Sequence, residues 1–124
     1  MSAFRAVVLE HFLRPRNRGP LDGANGSAEG ANPLCGDRIR VQVLARDGAI
    51  VEARFTADAC ALCIAAASLL TEGARGLAVR ETRCLDAIWL QTALESAPPP
   101  GRAKCVALPL ETLHRAIASL SGGA

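Results

Sequence analysis

Two extended runs joined by Asp47-Gly48 constrain this chain more than any other feature. From Ile39 to Arg46 apolar and polar residues alternate, with Ile39, Val41 and Val43 on one face and Arg38, Arg40 and Gln42 on the other. A period of two marks a half-buried strand. Asp-Gly between such runs signals a hairpin, because both residues tolerate the positive φ of a tight turn. Ile50 to Thr56 reads as the return strand, with Ile50, Glu52, Arg54 and Thr56 on one face and Val51, Ala53 and Phe55 on the other. An antiparallel hairpin is therefore predicted, and its apolar face needs a cover.

The cover follows directly. Cys60 to Ala74 is apolar nearly all round at its start, so it reads as a helix buried against the sheet and closed by Gly73 and Gly76. Ser2 to Leu13 reads as an earlier helix, capped by Ser2 and ended by Pro15. Phe4, Val7, Val8, Leu9 and Phe12 recur there at helical spacing. Asp22 to Pro33, rich in Gly, Ala and Asn, reads as a loop or a weak edge strand. Ala78 to Glu95 reads as a further helical region with Leu85, Ile88, Trp89 and Leu94 on its apolar side. Ser96 to Gly101 is a proline-rich connector. Cys105 to Leu120 reads as the last helix, striped by Val106, Leu110, Leu113, Ile117 and Leu120, with Pro109 in its first turn and a frayed end at Gly122 to Ala124. At 124 residues the chain is expected to be one domain, 1–124, with a modest core.

Composition narrows the function. The net charge is only +2, the basic residues are scattered, and three Phe and one Trp are the only aromatics, so no nucleic-acid footprint is present. The longest apolar run, Cys60 to Leu70, falls short of the roughly 20 residues a bilayer needs. His11, Arg14 and Arg16 stand where a signal peptide would be apolar. A cytoplasmic protein is expected, with no membrane partner. Five cysteines, an odd number in a reducing compartment, argue against a disulfide frame and for metal or sulfur chemistry. Thirteen of the fourteen basic residues are Arg; the one lysine is Lys104, directly before Cys105. An ammonium and a guanidinium are not interchangeable, so a specific use for Lys104 is one reading and chance is the other.

Three cysteines lie where elements begin or end. Cys60 sits between the return strand and its helix, where free amide groups and the helix dipole favour a thiolate. Cys105 opens the last helix. Cys35-Gly-Asp37 places a soft thiolate and a hard carboxylate two residues apart, on one face if the segment is a regular strand. Three thiolates and one oxygen complete a tetrahedral zinc shell, or ligate an iron–sulfur cluster. Cys60-Ala-Leu-Cys63 offers a competing reading as a thiol–disulfide pair, against a buried structural Cys63. His11, His114 and Cys84 read as structural, Cys84 as a small hydrophobe.

Together these motifs resemble the iron–sulfur cluster assembly scaffolds of the IscU, NifU N-terminal domain and SufU group. The marks are His11 with Pro15-Arg-Asn-Arg-Gly19, Asn32-Pro-Leu-Cys-Gly-Asp37, the hairpin, Cys60 with Ile64-Ala-Ala-Ala-Ser68, and Arg102-Ala-Lys-Cys105. The resemblance implies an α+β fold, a three-stranded antiparallel sheet with helices packed on it. It implies Cys35, Asp37, Cys60 and Cys105 as ligands of a [2Fe-2S] cluster or Zn2+, and a cysteine desulfurase as sulfur donor. On this reading Cys105 accepts the sulfur, Lys104 assists by favouring its thiolate or by pairing with Asp37, Cys35 and Cys60 hold the metal, and Asp37 is the weak ligand. Apo iron–sulfur proteins would be the acceptors, and the chain would act as a monomer or weak dimer. Arg102-x-Lys104-Cys105 is similar to the SufU branch, which binds zinc and relays persulfide, whereas the spacing from Cys60 to Cys105 is similar to IscU. Where IscU carries its chaperone motif this chain reads Pro98-Pro-Pro-Gly-Arg102, and Phe4 replaces the family's N-terminal tyrosine. A zinc-stabilised domain without transfer activity is the remaining alternative.

Overall fold

A computed structural model describes residues 6–95, 97–99 and 101–120. The hairpin forms as predicted, from β2 (Asp37–Arg46) and β3 (Ala49–Asp58). Asp47 and Gly48 both take positive φ, 54° and 77°, as a two-residue turn requires. The facing of β3 differs from the simple alternation. Leu44 pairs with Glu52 but Ala45 pairs with Ile50, so Val51 is an extra, bulged residue. The bulge returns Ile50 to the core side with Ala53 and Phe55 and leaves Val51 47% exposed.

Of the two readings of the Gly- and Ala-rich segment, loop or edge strand, the edge strand forms. β1 (Gly26–Asn32) pairs antiparallel with β2 and gives a three-stranded sheet in the order β1-β2-β3. Its inward residues are Gly26, Ala28 and Gly30, too small to register as an apolar face. β3 has its outer edge covered in two places: Asn17 O and Gly19 N bond Phe55, and Gly76 N and Leu77 O bond Ile50.

Helices cover one face of the sheet. α1 (Ala6–Leu13) packs on α2 (Ala61–Ala74), which also lies on β3, and α4 (Ala103–Ala118) lies across β1 and β2. α1 buries Val8 and His11 and leaves Leu9, Phe12 and Leu13 exposed. Ser2, Phe4 and Gly122–Ala124 lie outside the described residues. In α2 every residue from Leu62 to Thr71 is buried, as its all-round apolarity requires.

The region after α2 is broken in two. A 3-10 turn runs Val79–Cys84, and α3 spans Ala87–Leu94. Asp86 causes the restart: its carboxylate accepts the Trp89 N–H at 2.8 Å, an N-cap. The restart rotates the apolar side onto Leu90 and Leu94, leaving Ile88 75% exposed. Cys84 is exposed rather than packed. His114 makes a 2.6 Å hydrogen bond to the Leu85 carbonyl, a structural role.

α4 starts two residues before Cys105, which puts Pro109 in its second turn rather than its first. Proline has no N–H to give the carbonyl four residues back, and that residue is Cys105. The turn carrying Cys105 is thus held by one helical hydrogen bond fewer.

Candidate metal centre

Three elements deliver one side chain each to the same end of the sheet. Asp37 is the first residue of β2, Cys60 is the N-cap residue of α2, and Cys105 is the third residue of α4. One carboxylate oxygen of Asp37 and the two sulfurs all lie within 4.8 Å of one another. Sulfurs around one zinc ion stand about 3.8 Å apart, given Zn–S bonds near 2.3 Å. The group is compact enough to hold a single ion of that kind.

Asp37 is anchored by half. Its Oδ1 accepts the Cys60 N–H at 3.1 Å, which satisfies an orphan donor of α2. Its Oδ2 is buried with no hydrogen-bond partner. A buried, unpaired carboxylate oxygen is costly unless something binds it. The expected ion pair with Lys104 does not form: Lys104 is exposed, and it makes no salt bridge among the described residues.

Cys105 departs from the expected thiolate character. Cys105 is buried, and its pKa is raised to about 11, first by burial, then by its hydrogen bond with Cys60 and the charges of Cys60, Asp37 and Cys35. The helix start and the neighbouring ammonium do not offset a site crowded with acidic groups. Such a site is relieved by a cation. Two soft sulfurs and one hard oxygen suit zinc or iron, so the donor set and the orphaned Oδ2 fit a metal.

Cys35 is not part of the cluster of three. The segment before β2 is a turn rather than a strand: Cys35 and Gly36 both donate their N–H groups to Asn32 O, and Gly36 has a φ of +78°. Cys35 is exposed, with its thiol 3.9 Å from the Asn32 carbonyl. It nevertheless lines the same open cleft of about 600 Å3 as Asp37, Cys60, Arg102, Lys104 and Cys105. Asn32-Pro33 and Gly36 were the turn signal.

Cys63 is sealed in the core at 0% exposure, and burial pushes its thiol up. A half-buried Cys60 and a sealed Cys63 do not make an accessible redox pair. His11 is buried, hydrogen-bonded to Ser68 Oγ at 2.7 Å, with its pKa lowered by burial and by Arg16.

The family model described as the NifU-like N terminal domain matches residues 3–122. This chain belongs to that family. Among its relatives, the iron–sulfur cluster assembly scaffold protein IscU of Aquifex aeolicus is 38% identical over 92% of this chain and 73% of its own length. The zinc-dependent sulfurtransferase SufU of Bacillus subtilis is 30% identical over 97% and 92%. The bifunctional protein NifU/MnmA of Rubrobacter xylanophilus is 38% identical over 88% of this chain, which spans only 22% of that longer protein. The crystal structure of SufU from Fervidobacterium islandicum superposes with a TM-score of 0.80 over 92% of this chain and 96% of that one; at 22% identity it shows a shared fold. The α+β architecture expected from the motifs is therefore the family's. No helix among the described residues is long and apolar enough to cross a membrane.

Proposed function

We propose that this member of the NifU-like N-terminal family is a cytoplasmic iron–sulfur cluster assembly scaffold. It accepts sulfur from a cysteine desulfurase, assembles a [2Fe-2S] cluster and delivers it to apo iron–sulfur proteins, acting as one domain and as a monomer or weak dimer. The observation that carries the reading is the convergence of Asp37, Cys60 and Cys105 beside an open cleft, with the buried Asp37 Oδ2 unpaired.

Cys105 accepts the sulfur. Its thiolate attacks the outer sulfur of the donor persulfide, the donor S–S bond breaks, and the donor cysteine leaves as a thiolate that takes up the proton Cys105 gave. Cys105 becomes the persulfide. Because Cys105 is buried, the step needs its turn to open, and the hydrogen bond missing at Pro109 lowers the barrier to that. Lys104, on the rim, offsets the negative charge that develops. Cys35, on its exposed turn, supplies the fourth ligand when it folds over the cleft. Asp37 is the weak ligand, a hard oxygen among soft sulfurs, and a labile ligand suits a protein that gives its cargo away.

A second reading, zinc-dependent sulfur relay, is favoured by the compactness of the donor group, which is sized for one ion. Anaerobic purification followed by joint assay of metal, acid-labile sulfide and visible absorbance separates the two. The assay is repeated after incubation with ferrous iron, cysteine and a desulfurase. Cluster absorbance with sulfide near parity with iron supports the scaffold. Tightly held zinc with persulfide on Cys105 and no cluster supports the relay. Zinc without sulfur acceptance refutes both and leaves a structural zinc domain.

A further inference from the structure

α4 seats on β1 with no room to spare. Cys105, Leu108, Thr112 and Ala116 share one face of the helix, since steps of three and four residues return to the same side. All four are buried. Opposite them stand Gly30 and Gly26. A Cβ on Gly30 would lie 2.9 Å from Leu108 Cδ1 and would collide with Thr112 Oγ1. A Cβ on Gly26 would lie 2.6 Å from the Ala116 carbonyl oxygen. Neither glycine has a positive φ, so neither serves a turn. What each position requires is the missing side chain.

The two glycines differ in what they govern. Gly26 faces the far end of α4. Gly30 faces Leu108, one turn beyond Cys105, and lies two residues from Asn32, the strand partner of Asp37. We propose that Gly30 is a positioning residue for the metal centre: its bare backbone sets the depth at which α4 seats, and with it the distance of the Cys105 sulfur from Cys60 and Asp37. The inference rests on reading those three residues as the working site. Little slack exists, since the three donors lie within 4.8 Å of one another and a metal wants its sulfurs about 3.8 Å apart.

The test is size complementation, read in two ways. Gly30→Ala pushes α4 outward, and Thr112→Ala removes the atom it meets first, leaving the ends of the Leu108 and Arg115 side chains, which can rotate aside. One readout is zinc affinity by chelator competition, with the cobalt(II)–thiolate absorption as its spectroscopic signature. The other needs no metal: the rate at which dibromobimane cross-links Cys60 to Cys105, with Cys35, Cys63 and Cys84 replaced by Ala. Leu94→Ala, on α3, serves as a control chosen for comparable loss of thermal stability. Gly30→Ala is expected to weaken zinc about tenfold or more, to shrink the cobalt–thiolate bands and to slow the cross-link several-fold. Gly30→Ala/Thr112→Ala should return both readouts to the level of Thr112→Ala alone, and Leu94→Ala should leave both intact. Wild-type behaviour in Gly30→Ala overturns the proposal, as does equal damage from Leu94→Ala. If Gly30→Ala does not fold, the double variant decides, and its failure to cross-link like Thr112→Ala overturns the proposal too. A wild-type protein that binds no zinc and forms no cluster but shows the cross-link pattern would sink the metal reading while leaving the positioning of Cys105 standing.

Discussion

The middle of α2 and its N-terminal end are built on opposite rules. In the middle, polar groups are buried and satisfied. Ser68 Oγ takes the Arg16 N–H at 2.9 Å and bonds His11 Nδ1 at 2.7 Å; Thr71 Oγ1 donates to the Ala67 carbonyl at 2.8 Å and accepts from Asn17 Nδ2 at 3.3 Å. Those bonds tie α1 and the turn after it to α2. At the N-terminal end, Cys60 makes no side-chain cap bond and Asp37 Oδ2 has no partner. Satisfied polar groups fix a frame. An unpaired carboxylate oxygen, beside two thiols from two further elements at a cleft, leaves interaction energy for something the protein picks up and releases. The frame is stable so that the site need not be.

The sharpest break of that contrast is Cys105→Ser. It is expected to abolish sulfur uptake, because a hydroxyl cannot hold a persulfide, while melting stays close to wild type. Mass spectrometry after incubation with a desulfurase and cysteine should show no added sulfur at this position; unchanged labelling refutes the acceptor assignment. Ser68→Ala should do the reverse. It leaves a buried imidazole nitrogen and the Arg16 N–H without their partner, costing about 2 kcal/mol. That amounts to roughly 8 °C in Tm for a domain of this size. Zinc affinity measured well below the transition should hold. If Ser68→Ala loses metal as fast as stability, frame and site are not separable.

Asp37→Ala sharpens the comparison from the site side. With the hard ligand gone, bound cluster or zinc should be lost several-fold more slowly, followed by absorbance decay or chelator transfer. Faster loss sinks the idea that Asp37 is the labile ligand. Stability of the metal-free protein should change by no more than about 1 kcal/mol, because the Cys60 N–H loses its acceptor while a buried, unpaired carboxylate oxygen is removed.

What was legible in the sequence follows the size of the side chains. Ile39, Val41 and Val43 announce β2 because each inward residue is large. Gly26, Ala28 and Gly30 alternate just as strictly in β1, yet the inward face is small because α4 presses on it, and that pressure comes from residues roughly eighty to ninety positions away. A bulge leaves no mark on alternation, so the pattern alone puts Val51 on the wrong face. Asp86, three residues before Trp89, was a readable cap that would have split the helical region and traded Ile88 for Leu90. The site was legible as motifs, and local pattern alone could not bring residues 37, 60 and 105 together. Nor could it show that Cys35 turns outward, or that Cys105 holds its proton: both depend on what packs beside them.

The smallest expected effect follows from that proton. Cys105 has its pKa raised to about 11 in the folded protein, where an unperturbed thiol titrates near about 8.5. The folded state therefore holds the proton more tightly than the unfolded chain. The stability this contributes is complete below about pH 8.5 and is lost as pH rises toward about 11. Metal-free protein should accordingly grow less stable to urea across that window, and Cys105→Ser should flatten the slope. Asp37→Ala should move the loss to lower pH. The Asp37 charge raises the Cys105 pKa, so removing it should shift the loss downward, whereas burial alone, the largest cause, would leave it in place. Zinc reverses the sign. Binding displaces the Cys105 proton, so apparent affinity should climb with pH across the range in which the frame, held by Ser68 and Thr71, keeps its hydrogen bonds. An affinity that does not change between neutral and alkaline pH would mean that Cys105 carries no proton to displace, and the crowded, cation-seeking end of α2 would have to be reread as one more part of the frame.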